Sequence, residues 1–511
     1  MHSKQVLRQY HTPEITGRRV INDIPFAEEL PAERAAELDA WLPWASVSLL
    51  RQRLQSGELT SRMLALYFLG RIRRAAALNA VGELNPDVLD LANQLDDERR
   101  NGALRGPLHG IPVLLKDNVS TGDRMHTTAG AKVLEHFRAG ADAFVAQKLR
   151  AAGALILGKT NLSEWANFMT STSANGFSVL GGQVRNPYGK HDVSGSSSGS
   201  AAAVAAGLVP LAVGTETCGS LIAPGAANSI AVLKPTLGLI SRRGIIPITG
   251  VTDTAGPMAR SAADLAPLLQ ALAGPDPDDP VTLQPRAAQA ADWVSFLDAG
   301  ALRGLRLGFV TPRKPPPAEW ELIERCARVL RACGAEVVHL STHQAVPWHE
   351  VVQVFCYGMQ HDLAGYFQSV PGPAPVSSLA EIIAFNQADL TNRAPFGQNL
   401  LERSQALSLS PAEHAGLVEK IRAMTGAELR RLRAEPVDLL VSLGNSLSGY
   451  YAIAGFPALT VPAGYRKAGR PFGLTFVGEP YEDGRLIAAA YAFEQAAQAR
   501  VAPPDSFKNP P

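Results

Sequence analysis

The chain has 511 residues, of which 46% are hydrophobic and 19% are charged, and its formal net charge is +1. This length suits one large domain or about three average ones, and the apolar fraction supports a large core. The balanced charge offers no basic surface of the kind that binds nucleic acid or an anionic membrane, so neither partner is predicted.

The cysteines and the start of the chain exclude further classes of protein. The chain contains no CxxC pair and no cysteines grouped with histidines, which argues against structural zinc and against a disulfide framework. The first residues lack the apolar core of a signal peptide. The longest apolar run, at about 201–214, is interrupted by Gly207 and Pro210, so no transmembrane helix is predicted. We therefore expect a cytoplasmic protein.

The first half of the chain begins with residues 1–44, whose mixed prolines and charges predict an N-terminal arm. Apolar spacing then predicts helices over 47–54, 61–74, 87–100, 141–152 and 161–168. Short apolar runs predict strands over 109–115 and 154–157, the first of them ending in Lys116-Asp117-Asn118.

In the second half, an Ala-rich helix over 200–207 is followed by a buried strand over 208–213. Further strands are predicted over 305–310, 335–340, 437–443, 458–461 and 472–477, and further helices over 261–273, 318–332 and 484–500, with a mainly helical stretch at 350–433. Strands and helices that alternate in this way predict an α/β fold with a largely parallel or mixed sheet.

Residues 153–160, GALILGKT, match the phosphate-loop pattern GxxxxGK[ST]. The four variable positions are Ala-Leu-Ile-Leu, which favour a strand over a loop of exposed amides, and a helix precedes them where a strand is required. We therefore interpret this segment as a strand with Lys159 solvated or paired at its end, and a nucleotide hydrolase is the less favoured alternative.

Residues 195–199, GSSSG, match the nucleophile elbow GxSxG, which would make Ser197 a nucleophile. The elbow requires an apolar strand before it and a catalytic histidine late in the chain. The preceding residues are polar and rich in turn formers, and the last histidine is His414. We therefore expect Ser197 to be a supporting hydrogen-bonding residue.

The two serine loops GSSSGS and GTETCGS lie on either side of the Ala-rich helix, and LHGIPVLLKDN precedes them. Together with LKPTLGLISRRGIIPITG and FPALTVPAGY, these motifs resemble the amidase signature family in order and spacing. The resemblance covers about residues 45–500 and is densest at 105–265. It implies a large mixed β-sheet flanked by helices on both faces, a catalytic domain over 45–505 and a variable substrate-pocket region at about 275–433.

The resemblance also implies a Ser–cis-Ser–Lys triad. Ser220 takes the position of the nucleophile, Ser196 that of the bridging serine after a cis peptide bond, and Lys116 that of the base. The chemistry requires such partners, because a serine hydroxyl is a weak nucleophile until a base removes its proton. A lysine acts as that base when it is neutral, and burial at the end of an apolar strand favours the neutral form.

The remaining site predictions concern the groups around the triad. The backbone N–H groups of 217–220 are predicted to form an oxyanion hole, since Gly-rich turns present amides together; the residues are Thr217, Cys218, Gly219 and Ser220. Five further residues are expected to brace the loops, namely Asp117, Asn118, Ser197, Thr215 and Glu216. No metal and no cofactor is predicted.

The sequence departs from the family pattern at Ser194, Ser198, Cys218 and Ile222. The amide of Cys218 is still available, although its side chain would reshape the pocket. Ile222 stands where many members have arginine, which resembles the peptide-amidase-like branch and argues against a glutamine-specific amidotransferase.

The predicted function is that of a serine amidase that hydrolyses a small-molecule amide through an acyl-enzyme on Ser220. Apolar or aromatic side chains are candidates for the substrate pocket, although they are equally ordinary in a helical core; they are Phe168, Met169, Phe355, Tyr357 and Met359. Peptide C-terminal amides, aryl or alkyl acylamides and carbamates all remain open as substrates. The alternatives are a carbamate or ester hydrolase of the same family and a non-catalytic binding protein. The expected assembly is a monomer or a homodimer.

Overall fold

The computed structural model describes residues 28–284, 292–434 and 436–504. Residues 1–27 of the predicted N-terminal arm lie outside these ranges, while Leu38 and Leu42 are buried in the same core as the central sheet. The division into an arm and a catalytic domain stays a prediction. No helix in the described part of the chain is both long enough and apolar enough to cross a membrane.

The described strands are β1 (Val81–Leu84), β2 (Pro112–Lys116), β3 (Leu155–Thr160), β4 (Phe177–Ser178), β5 (Gly182–Gln183), β6 (Leu211–Glu216), β7 (Ala231–Lys234), β8 (Thr254–Ala259), β9 (Arg306–Val310), β10 (Glu336–Leu340), β11 (Leu439–Leu443), β12 (Ala458–Tyr465) and β13 (Pro471–Val477). Eleven of them form one sheet in the order β1-β3-β2-β6-β8-β7-β12-β13-β11-β9-β10, and β4 pairs with β5 separately. Parallel and antiparallel pairs both occur in the large sheet, so the predicted mixed α/β fold is confirmed.

The helices among these residues are α1 (Ala32–Asp39), α2 (Val47–Gln55), α3 (Ser61–Arg74), α4 (Val88–Arg100), α5 (Phe144–Ala151), α6 (Glu164–Asn167), α7 (Ser198–Ala205), α8 (Ile222–Ala227), α9 (Ala262–Leu272), α10 (Pro317–Ala332), α11 (Trp348–Ser369), α12 (Leu379–Gln387), α13 (Leu390–Arg393), α14 (Asn399–Gln405), α15 (Pro411–Ala434), α16 (Ser448–Ala454) and α17 (Asp483–Ala497). Several begin where a hydroxyl side chain accepts from a backbone N–H of the first turn. Ser46 does so for α2, Thr60 for α3 and Ser261 for α9.

The parallel strands β3, β2 and β6 are buried along their whole length and consist largely of apolar residues, as is typical of parallel strands covered on both faces. In the register of β2 with β6, Leu115 lies opposite Val213. Because parallel strands end at the same edge of a sheet, Lys116 at the end of β2 is brought next to Thr215 near the end of β6. This edge positions the candidate site.

A second apolar cluster lies beside the sheet and is built mainly from helices of residues 348–434, which we call the helical wall. Segments 129–139 and 165–169 pack into the same cluster. Cys218 from the second serine loop packs against it, so the helical wall borders the loop that is predicted to hold the oxyanion.

Two local predictions need correction. The helix expected over 161–168 is reduced to the single turn α6, in which Trp165 and Ala166 have φ angles of 49° and 54°. The N–H of Trp165 donates to the carbonyl of Ala129 at 2.9 Å, so a tertiary contact takes the place of continued helix. Lys159 lies in β3, so the predicted strand is correct. The side chain is fully buried, so the prediction that it is solvated at the end of the strand is wrong.

Candidate active site

Lys116 is the last residue of β2 and is fully buried. Its Nζ donates to Ser196 Oγ at 2.8 Å, to Thr215 Oγ1 at 2.8 Å and to the carbonyl of Thr215 at 3.3 Å. Burial lowers the pKa of Lys116 to about 7, against the opposing influence of the Asp253 and Glu216 carboxylates. A lysine in this state has a substantial neutral fraction near pH 7 and is suited to accept a proton.

The first serine loop approaches Lys116 through the cis peptide bond Gly195–Ser196, which the family resemblance predicts. Position 195 has no room for a side chain, because a Cβ there would lie 2.4 Å from Ser163 Oγ. The N–H of Ser163 donates to the carbonyl of Ser196 at 3.1 Å. This close packing fixes the backbone that presents the buried Ser196 hydroxyl to Lys116.

Ser197 connects the two serine loops. Its Oγ donates to the carbonyl of Thr215 at 3.0 Å and accepts from the N–H of Thr215 at 3.2 Å. Its own N–H donates to the carbonyl of Ser220 at 3.2 Å. Both hydrogen bonds of the Ser197 hydroxyl are therefore made to the backbone of β6, and they hold the first serine loop against that strand.

The second serine loop turns between β6 and α8. Gly219 has a φ of +91°, a conformation that residues with a Cβ rarely adopt. Glu216 is buried and accepts through Oε2 from the N–H of Leu221 at 2.8 Å and of Ile222 at 3.2 Å, which ties the strand end to the start of α8. Burial raises the pKa of Glu216.

Ser220 is partly exposed, whereas Ser196 is fully buried. Within the residues that the structure describes, the hydrogen bonds link Lys116 to Ser196 but do not extend to the Ser220 hydroxyl. The arrangement therefore consists of a buried lysine hydrogen-bonded to a buried serine hydroxyl, and a more accessible serine on the neighbouring loop. The transfer between the two serines stays a prediction.

Two of the predicted bracing residues come directly after Lys116. Asp117 accepts from the N–H of Thr128 at 3.1 Å and also from its hydroxyl. Asn118 Nδ2 donates to Thr215 Oγ1 at 3.1 Å and to the carbonyl of Ile246 at 3.3 Å. Thr215 is thereby held from two sides, by Lys116 and by Asn118.

Asp253 also lies beside the second serine loop, and its position was not predicted from the sequence. Its carboxylate accepts from the Thr217 hydroxyl and from the N–H groups of Ile248 at 2.8 Å and Thr249 at 3.0 Å. Burial raises the pKa of Asp253 to about 6. The segment ITGVTD lies inside the motif-rich region, but an aspartate in a turn is too common to indicate this role.

Cys218 of the second serine loop packs against the helical wall and against a further apolar cluster that includes Leu447 and Tyr451. Burial raises the pKa of its thiol to about 12, and the nearby Glu216 carboxylate acts in the same direction. The side chain is therefore a neutral thiol at physiological pH.

The predicted pocket residues are distributed over the helical wall and its neighbours. Phe168 and Phe355 make an edge-to-face contact at 6.2 Å, and Met359 is fully buried. Tyr357 stacks on His414 with ring centroids 3.9 Å apart. A cavity of about 550 Å³ beside Thr215 and Thr217 is lined by other residues, so the role of the five predicted pocket residues stays a prediction.

Comparisons with known proteins place this geometry in a family. The family model described as Amidase matches residues 64–442. A protein of Arabidopsis thaliana named "probable amidase" is 36% identical over 476 residues, which cover 90% of this chain and 91% of that protein. A protein of Synechococcus named as one component of glutamyl-tRNA(Gln) amidotransferase is 30% identical, covering 90% of this chain and 98% of the other.

Among solved structures, native peptide amidase from Stenotrophomonas maltophilia is 43% identical to this chain. The match has a TM-score of 0.86 and covers 90% of this chain and 98% of the other. The family model spans most of the chain, and three of the motifs that suggested the resemblance meet around Lys116. The chain belongs to the amidase signature family and is an amidase hydrolase.

Proposed function

We propose that the protein is a serine amidase in which Ser220 is the nucleophile, Ser196 the proton relay and Lys116 the base. The observation that carries the proposal is the 2.8 Å contact of Lys116 Nζ with Ser196 Oγ, made by a fully buried lysine. Burial that lowers the pKa of Lys116 to about 7 supplies the neutral amine that the reaction requires.

In the acylation step, neutral Lys116 takes the proton of Ser196 while Ser196 takes the proton of Ser220. The freed Ser220 oxygen attacks the carbonyl carbon of the amide, and the oxyanion is stabilised by backbone N–H groups of residues 217–220. The carbon–nitrogen bond then breaks as Lys116 returns its proton through Ser196 to the leaving nitrogen. Ammonia or an amine leaves, and the acyl group remains on Ser220 as an ester.

In the deacylation step, the same proton path runs again with water in place of the serine. Water gives a proton through Ser196 to Lys116 and attacks the ester carbonyl, and the proton returns to Ser220 as the acid departs. The cycle converts an amide and water into an acid and an amine, and it returns Lys116, Ser196 and Ser220 to their starting protonation states. The proposed reaction therefore needs no cofactor.

We propose the amide of a peptide C-terminus as the leading substrate class. Support comes from the 43% identity to a protein named peptide amidase and from Ile222, which stands where many family members have arginine. Aryl or alkyl acylamides and carbamates are the alternatives within the same chemistry. Two relatives named as a component of glutamyl-tRNA(Gln) amidotransferase are 30% and 34% identical, below the 43% of the peptide amidase, and this chain lacks the arginine that the resemblance associates with glutamine.

The test of the nucleophile is labelling with a fluorophosphonate, followed by intact mass and peptide mapping. We expect one adduct on Ser220 in the wild type and none in Ser220→Ala. Ser197→Ala is the matched control on the first loop, because its hydroxyl is bonded to backbone groups, and it should still be labelled. An adduct on Ser197, or wild-type amide turnover that survives in Ser220→Ala, would refute the assignment.

A further inference from the structure

The cavity of about 550 Å³ lies between the end of β6, the segment 242–254 and helix α11. Its lining includes Asn118, Thr215 and Thr217 as well as Asp362 of α11. Thr215 contacts the Nζ of Lys116, so a side chain of the lining bonds directly to the proposed catalytic base. The volume of the cavity is in the usual range for small-molecule sites.

The two arginines of the lining, Arg242 and Arg243, are each paired with an aspartate. Arg242 Nε donates to Asp279 Oδ2 at 3.0 Å, and its guanidinium also bonds the carbonyl of Gly250. Arg243 Nε lies 2.8 Å from Asp276 Oδ2. Neither guanidinium is left as an open anion site, because each already has a carboxylate partner.

Two other carboxylates of the lining, Asp253 and Asp362, do not have an arginine partner in the described part of the chain. Asp253 accepts from the N–H groups of Ile248 and Thr249 and from the Thr217 hydroxyl, and Asp362 accepts from the N–H of Gly250 at 2.7 Å. Across the described ranges, neither carboxylate has a lysine or arginine within ion-pair distance. Both therefore retain acceptor capacity and negative charge that face the cavity.

Asn118 supplies an independent observation in the same lining. The residue is only 2% exposed, and both bonds of its amide group use Nδ2. Its Oδ1 has no hydrogen-bond partner among the described residues. A buried carbonyl oxygen without a donor is costly, so a ligand N–H at this place would be favoured.

We propose that this cavity is a specificity site for a protonated amino group of the substrate, held by Asp253 and Asp362, with Asn118 Oδ1 accepting an N–H of the same molecule. The inference rests on the proposed amidase function and names a substrate class for it. Amides that carry an ammonium group, such as a lysine side chain or a free peptide N-terminus, fit this lining. Neutral amides of equal length leave the two carboxylates uncompensated.

The test compares kcat/KM at pH 8 for two short peptide amides that differ only in a lysine or a norleucine side chain. We expect the wild type to favour the lysine substrate. Asp362→Asn keeps an oxygen for the N–H of Gly250 but removes the charge, and should lower the lysine-to-norleucine ratio about three- to tenfold, mainly through KM. Asp253→Asn should lower the same ratio.

The control is Asp298→Asn, because Asp298 is an exposed aspartate outside the cavity that accepts from the N–H of Gly300 in the same manner. Its ratio should equal that of the wild type. A wild type that hydrolyses both amides equally, or a ratio unchanged in both cavity variants, would overturn the specificity site while leaving the amidase function intact. No hydrolysis of any amide, with Ser220 unlabelled, would instead overturn the proposed function.

Discussion

The ends of two neighbouring strands, β2 and β3, each carry a fully buried lysine, and the two lysines have different surroundings. Lys116 on β2 donates from Nζ to the hydroxyls of Ser196 and Thr215 at 2.8 Å each, and more distantly to the carbonyl of Thr215 at 3.3 Å. Lys159 on β3 donates to the carbonyls of Val119 at 2.6 Å and His126 at 3.1 Å, and to the Thr127 hydroxyl at 3.1 Å.

Burial alone does not make a lysine a base, because the groups that contact its Nζ must also be able to exchange a proton with it. Two of the three groups around Lys159 are carbonyl oxygens, which accept a hydrogen bond but have no proton to give. Hydroxyls can donate as well as accept, so those around Lys116 are compatible with a neutral amine and can exchange a proton with it. We therefore assign different tasks to two lysines of equal exposure, one catalytic and one structural.

The largest effect is expected at Lys116. Lys116→Ala should lower kcat/KM for an amide by about 10²–10⁴-fold, because the general base is lost while the serine loops remain. Steady-state kinetics at pH 8 would measure this, with circular dichroism to show that the fold is kept. Retention of most of the activity would remove Lys116 from the mechanism.

The matched variant on the next strand should affect stability. Lys159→Met fills similar space but leaves two carbonyls and a hydroxyl without their buried donor, so the free energy of unfolding should fall by about 2–4 kcal/mol. Denaturant titration measures the loss, and kcat of the folded protein should stay close to the wild-type value. A large loss of kcat at unchanged stability would mean that the two lysines do not differ as proposed.

A smaller effect is expected at Thr215, whose hydroxyl lies between Lys116 and Asn118. Thr215→Val keeps the shape and removes the hydroxyl that accepts from both Lys116 and Asn118, so kcat/KM should fall about three- to tenfold, the equivalent of about 1 kcal/mol. Thr127→Val is the matched variant beside Lys159 and should leave kcat/KM unchanged. Equal losses in both variants would point to a general packing effect.

The mixed α/β fold and the meeting of the Lys116 motif with the two serine loops were the most predictable parts of this molecule. Apolar runs such as IPVLL before Lys116 predict buried strands, and the order of the serine loops is specific enough to suggest the family. The structure brings Lys116, Ser196 and Thr215 together because β2 and β6 are parallel neighbours that end at one edge. The apolar runs and the spacing of the motifs are therefore enough to predict the buried strands and the family.

Other features depended on tertiary contacts that no local pattern shows. A lysine at the end of a strand is usually solvated, and nothing near Lys159 in sequence indicates that Val119 and His126 would supply carbonyls. Asp253 and Asp362 are separated by more than a hundred residues, and only the position of α11 brings both into one cavity. For the helical wall, apolar composition fits both a core and a pocket, so composition alone does not separate the two roles.

The most direct measurement of the central claim is the pH dependence of kcat/KM for a neutral amide between pH 5 and 9. Lys116 acts as a base only when neutral, and its pKa is lowered to about 7, so the rate should rise with pH through about 7 and then level off. The increase between pH 6 and pH 8 should be about tenfold. Lys116→Ala should lose this rise. A wild-type profile that is flat from pH 6 to 9, or the same rise in Lys116→Ala, would contradict Lys116 as the catalytic base.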